Sequence, residues 1–159
     1  MISVLGDGAH WIWDAAALTP CLAGVPAFAK RDEVLDVYYG LENISDCGKV
    51  LCGSETKEYT AWHDETTLEL LWNGYELIEQ RLNRLEKEER TDDEREAIRK
   101  LRGYLSYHAE RLNYRERLAE GRSIDSGQVE GACKNLIGKR LKQTGARWRI
   151  KRVSNMTTL

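Results

Sequence analysis

Ile2-Ser3-Val4-Leu5-Gly6-Asp7-Gly8-Ala9-His10-Trp11-Ile12-Trp13 changes its period in the middle, and that change decides how the chain begins. Ile2 to Leu5 is a short apolar run of the kind that forms a strand. Gly6-Asp7-Gly8 breaks it with a tight turn, after which Ala9, Ile12, Trp13, Ala16 and Ala17 recur at helical spacing. Pro20, Gly24 and Pro26 then close the predicted helix. Val34-Leu35-Asp36-Val37-Tyr38-Tyr39 is a second β-rich run, followed by Gly40 and by Leu41 and Ile44 at helical spacing. The first fifty residues therefore read as a β-α-β-α unit, which places two parallel strands side by side.

From Ser54 onward the period is that of long helices. Leu68, Leu71, Trp72, Tyr75, Ile78, Leu82 and Leu85 step by three and four, predicting one amphipathic helix of about 25 to 35 residues. The charged run Lys87 to Glu96 reads as a solvated turn with Thr91 or Asp92 as N-cap. Ile98, Leu101, Leu105, His108 and Leu112 then define a second stripe that ends at Gly121. Two helices joined by a short polar link predict an antiparallel hairpin, with Trp62, Trp72, Tyr75 and Tyr104 as its aromatic core. The expected division is 1–53, a β-α-β-α part; 54–120, an all-helical insertion; and 121–159, a C-terminal helix with a basic segment.

A length of 159 residues suits one domain with a real core, and 42% hydrophobic against 31% charged residues suits solvated helices. The longest uncharged stretch, Ala15 to Ala29, is too short for a membrane span and contains two prolines. No basic region precedes an apolar run as in a secretory signal, so a cytoplasmic protein with reduced Cys21, Cys47, Cys52 and Cys133 is expected. Cys47 and Cys52, with His63, make only a weak zinc motif. The net charge of −2 taken alone argues against a nucleic-acid partner, yet it is unevenly spread. From Val129 to Val153 eight basic residues stand against Glu130 alone, so this segment carries +7 and the remainder −9. A basic end on an acidic body is the asymmetry of a phosphate-contact surface.

Asp7 sits where a strand runs out into a glycine-flanked turn, the place where α/β proteins hold a reactive side chain rigidly yet open to solvent. Its alternative role is to cap the helix starting near Ala9. Glu130 lies one turn into a helix predicted from the stripe Val129, Ala132, Cys133, Leu136, Ile137, Arg140 and Leu141, with Asp125 or Ser126 as its cap. It is either a surface partner of Lys134 or a functional carboxylate among phosphate-binding cations, as two-metal phosphoryl chemistry requires. His10 reads as a helix-surface histidine beside Asp7, and His108 as a hydrogen-bonded core histidine.

Taken together, Gly6-Asp7-Gly8-Ala9-His10-Trp11-Ile12-Trp13, Val34 to Tyr39, the helical insertion, Ser126-Gly127-Gln128-Val129-Glu130-Gly131-Ala132-Cys133-Lys134 and Gly138 to Trp148 resemble the bacterial insertion-sequence transposases of the IS-Kra type, members of the DDE class. The resemblance implies a partial RNase H-like α/β fold with an all-α insertion and a C-terminal catalytic helix. It also implies two aspartates and a glutamate holding two Mg²⁺ (or Mn²⁺) ions, which activate water and then a 3′-hydroxyl to cut and join DNA at insertion-sequence ends. Asp7 matches the second aspartate and Glu130 the glutamate. Lys134, Lys139, Arg140, Lys142, Arg147 and Trp148 fall in the signature and are its candidate DNA contacts, Trp148 as a stacking or a packing residue. Asp36 is expected in the strand after the catalytic turn, and Tyr39 stands where relatives carry a histidine.

The family's first aspartate lies upstream of the Gly-Asp-Gly motif, and no residue here matches it. The resemblance is thus to a transposase truncated at its N-terminus and also at its C-terminus. Such a chain is expected to hold metal weakly, to bind DNA through residues 129–153 without cutting it, and to associate with itself or with full-length transposase. The competing readings are a non-catalytic DNA-binding module and an acidic helical interaction protein.

Overall fold

In a computed structural model the described residues are 2–15 and 31–127. They form a mixed α/β structure that is mostly helical, with a small parallel sheet of two strands. Strand β1 (Ile2–Gly6) lies beside β2 (Arg31–Leu35) in parallel register, Ile2 opposite Arg31 and Gly6 opposite Leu35. Residues 10–15 are helical and are labelled α1. There follow α2 (Val37–Cys52), α3 (Lys57–Asn73), α4 (Tyr75–Leu85), α5 (Asp92–Tyr107), a short 3-10 turn at Ala109–Arg111 and α6 (Tyr114–Ala119). Strand, Gly-Asp-Gly turn and helix thus occur in the expected order at the start of the chain. The predicted helix closure at Pro20 to Pro26 lies outside the described residues.

Two boundaries differ from expectation. The β-rich run Val34 to Tyr39 is a strand only as far as Leu35; Asp36 turns the chain, and its carboxylate accepts a hydrogen bond from the Tyr38 amide at 3.0 Å as the N-cap of α2. A side-chain acceptor just ahead of an apolar 3–4 pattern satisfies an otherwise orphan helix amide, and this outweighs the β propensity of Val37-Tyr38-Tyr39. Asp36 is therefore a buried capping residue and not a strand residue.

The second difference is the single long helix, which is instead two. Gly74 has φ 61°, closes α3 by donating to the Leu70 carbonyl at 3.1 Å and starts α4. Only glycine takes that backbone conformation cheaply. The break shifts the phase of the buried face. In α3 the inward residues are Trp62, Thr66 and Leu70, so Leu68 and Trp72, expected inside, are exposed at 63% and 60%. In α4 the expected Ile78 and Leu82 are fully buried. Arg81 of α4 reaches back to Glu65 and Glu69 of α3, holding the two segments together across the break.

The turn before α5 follows expectation closely. Thr91 and Glu94 form a capping box, each side chain bonding the other's backbone amide. α4 and α5 pack as the predicted antiparallel hairpin: Arg102 bonds Glu86 at 2.8 Å and Asn83 at 3.0 Å, while Tyr75 at the far end meets Ser106. The second helix ends earlier than the stripe implied, at Tyr107. Leu112 belongs to the segment after the 3-10 turn, and Gly121 follows α6.

One core runs through all of this. Val34 and Leu35 of β2, Ile44 and Cys47 of α2, Trp62 and Leu70 of α3, Ile78 and Leu82 of α4, and Ile98, Leu101 and Leu105 of α5 form a single buried cluster. Tyr114 of α6 closes it and donates to the Leu35 carbonyl at 3.0 Å, satisfying a polar group at the end of β2. The cluster draws on residues on both sides of position 53. The chain divides after Asp125 into units 1–125 and 126–159. Among the described residues no helix is long and apolar enough to cross a membrane.

Candidate functional site

Parallel strands end side by side, and whatever follows each strand is brought to one edge. Here Asp7 follows β1 and Asp36 follows β2, and the Asp36 amide donates to the Gly6 carbonyl at 2.8 Å, so the pairing continues one step past the strands. Their environments are opposite. Asp36 is 2% exposed and serves α2, whereas Asp7 is exposed to solvent. One Asp7 carboxylate oxygen accepts from the Ala9 amide at 2.9 Å, the local turn that launches α1. The capping role weighed for Asp7 is therefore present, and it uses one oxygen of a carboxylate that still faces water.

The turn itself is held from 97 residues away. Gly8 has φ 92°, and a Cβ there would stand 2.6 Å from the Tyr104 hydroxyl and 3.0 Å from His108 Nε2. The Tyr104 hydroxyl donates to the Asp7 carbonyl at 3.3 Å. Burial, with Asp7 nearby, pushes the Tyr104 phenol up to about 12, so it remains a neutral donor. His108, 1% exposed, meets Tyr104 and Tyr107 edge to face and lies against the Gly8 backbone. Burial foremost, together with Arg111 and His10, pushes its pKa down to about 4, so the ring is neutral near pH 7. The reading of His108 as a core histidine matches this place. Trp13, buried on α1, carries the Arg111 guanidinium over its ring at 4.3 Å.

His10 is exposed on the first turn of α1 and stacks obliquely on Tyr107, with ring centroids 4.4 Å apart. The Tyr104 side chain, expected in the hairpin core, is half-buried and points to the Asp7 turn. Tyr75 is half-buried as well, so of the four aromatic residues assigned to that core only Trp62 is buried.

Other candidates lie apart or outside. Glu130, Lys134, Lys139, Arg140, Lys142, Arg147 and Trp148 are all outside the described residues. Cys47 is buried in the core, and its thiol is pushed up to about 12 by burial, which makes it unreactive. His63 pairs with Asp64 at 3.6 Å. Among the described residues no group of three or more His, Cys, Asp or Glu side chains is placed to hold a metal ion.

Two features had no usable signal in the sequence. Tyr104 and His108 belong to an ordinary helical stripe, and nothing in their spacing points to Gly8. The ionic cluster at the opposite end of β2 is equally non-local: Asp32 pairs with Arg117 and Arg122, and Glu33 pairs with Arg111 at 2.8 Å. Comparison with protein-family models, with curated proteins and with solved structures returns no match for this chain.

Proposed function

We propose that the chain is part of a DNA-processing transposase of the DDE class, with residues 2–127 belonging to an RNase H-like core and its helical insertion. In this reading Asp7 and Glu130 hold divalent metal, and Lys134, Lys139, Arg140, Lys142, Arg147 and Trp148 contact DNA. The observation that carries it is the place of Asp7: a solvent-facing carboxylate at the carboxyl end of a parallel strand, in a glycine turn, ahead of a long helical segment. Hard divalent ions prefer anionic oxygens of this kind, so Asp7 fits one position of such a site. When bound, Mg²⁺ or Mn²⁺ would neutralise phosphate charge and activate an attacking oxygen.

The chain's own contributions are then separable. The Gly6-Asp7-Gly8 turn presents the carboxylate, Tyr104 steadies the turn through the Asp7 carbonyl, and the +7 segment supplies phosphate contacts whose counterion release drives binding. No residue matches the class's first aspartate, so the chain by itself binds DNA and leaves it uncut.

Titration of a labelled oligonucleotide at increasing salt tests this directly. Affinity should fall linearly on log–log axes, each phosphate contact adding about 0.9 to the slope on duplex DNA. Absence of salt-dependent binding overturns the DNA reading. Robust Mg²⁺-dependent strand cleavage, lost in Glu130→Gln, overturns the view that the chain binds without cutting. A second reading, a non-catalytic binding module, draws on the Asp7–Ala9 hydrogen bond, which gives Asp7 a structural use; it requires that Asp7→Asn leave Mn²⁺ affinity unchanged.

A further inference from the structure

The exposed face of α5 continues from the Asp7 turn as a groove of about 570 Å³ whose lining includes His10, Glu96, Arg99, Lys100, Gly103 and Tyr107. Arg99 and Lys100 project into solvent, with side chains 78% and 74% exposed. Their sole ion-pair partner among the described residues is Glu96, at 2.6 Å from Arg99 and 3.8 Å from Lys100. Exposed pairs of this kind are weak in water and exchange readily for a phosphate. Tyr107 keeps 46% of its surface open beside His10. A Cβ on Gly103 would meet nothing within 4 Å, so that part of the groove offers bare helix backbone and room for close approach.

Two cations against one carboxylate favour a polyanion, and an exposed aromatic ring among them favours one with unstacked bases. A merely solvated helix face would not combine these with a concave floor that begins at Gly8. We infer that the α5 groove is a second nucleic-acid contact surface, in which Arg99 and Lys100 take phosphates of a single strand passing the Asp7 turn and Tyr107 offers its ring to a base. The surface is distinct from residues 129–153 and rests on the DNA reading given above.

Fluorescence anisotropy with a labelled single-stranded oligonucleotide, across a salt series, tests it. Arg99→Gln with Lys100→Gln should weaken binding about tenfold at low salt and lower the log–log slope by about 1.4, two contacts at about 0.7 each. Glu96→Gln, which frees both cations and removes the repelling charge, should tighten binding. Glu79→Gln, which lies in the hollow around Gly74 and not in this groove, should leave it unchanged. Amide exchange of residues 96–107 should slow when the oligonucleotide is added to the wild-type chain, a readout independent of any substitution. Unchanged affinity, slope and α5 exchange, with binding lost in Lys139→Gln/Arg140→Gln, overturn the groove and leave the DNA reading standing. Absence of salt-dependent binding by the wild-type chain overturns both.

Discussion

The two ends of the short parallel sheet treat their carboxylates in opposite ways. At the amino end of β2, Asp32 is sunk among Arg117, Arg122 and Asn113, and Arg117, itself 1% exposed, also donates to the Ser123 carbonyl at 3.0 Å. At the carboxyl end of β1, Asp7 is exposed, and among the described residues its carboxylate accepts from the Ala9 amide. The difference teaches where the fold spends its charges. Asp32 ties residues 113–123 to the sheet, its half-buried carboxylate committed to two guanidiniums. Asp7 is left open, and the rigidity there comes from neutral groups around it, Tyr104, His108 and the backbone of Gly8.

If that contrast is right, disturbing the Asp32 end should cost the most. Arg117→Met takes one of two guanidiniums from Asp32 and the donor from the Ser123 carbonyl, and is expected to lower unfolding free energy by about 3 kcal/mol in chemical denaturation. The companion Arg117→Met/Asp32→Leu should recover part of that loss, because the half-paired carboxylate is gone and Arg122 keeps Glu120; no recovery would mean that Arg117 acts through packing and the Ser123 carbonyl.

A somewhat smaller effect is expected from the neutral ring at the other end. His108 has a folded pKa depressed to about 4 against an ordinary value near 6.5, so the unfolded chain binds the extra proton first as pH falls. Stability linked to this group is fully present above about pH 6.5, declines between there and about pH 4, and is flat below. The decline should approach about 3 kcal/mol at most, and it should be missing from His108→Gln, appearing in the difference between the two proteins, if the ring is its source. An identical slope in both proteins across that window would assign the loss to carboxylates instead.

Gly8→Ala probes the same turn by geometry. It places a methyl against the Tyr104 hydroxyl and demands a left-handed φ from alanine, for an expected cost of about 2 kcal/mol. Gly8→Ala with Tyr104→Phe should cost less than the sum of the two, since the phenyl ring lacks the clashing oxygen.

Least of all should be felt at Asp7. Asn caps as well as Asp, so Asp7→Asn is expected to change stability by less than about 0.5 kcal/mol in the same denaturation experiment. A loss above about 1 kcal/mol would place Asp7 with Asp32 among the structural carboxylates and remove the contrast.

Much of the local structure is legible along the chain, because caps and periods are short-range. Thr91 with Glu94 announces α5, the Gly6-Asp7-Gly8 turn announces the end of β1, and the stripe Ile98, Leu101, Leu105 announces a buried face. Two further local signals compete with a stronger pattern. Asp36 ahead of Val37, with Gly40, Leu41 and Ile44 following, is a helix start, and Gly74 interrupts the long stripe and turns Leu68 and Trp72 outward. Each was masked by a competing pattern, β propensity in one case and 3–4 spacing in the other.

By itself, then, the sequence determined the order of elements at the start of the chain, the α5 cap, the buried stripe of the hairpin and the placing of one candidate carboxylate at a strand end. Which acid is open and which is clamped follows from long-range packing, because Asp7, Asp32 and Asp36 look alike in sequence and differ in what folds against them. Only the tertiary structure decided that Tyr104 and His108 serve the Asp7 turn and that Arg99 and Lys100 border it. Those contacts span 90 or more residues, and helical spacing specifies a face without naming the partner that covers it.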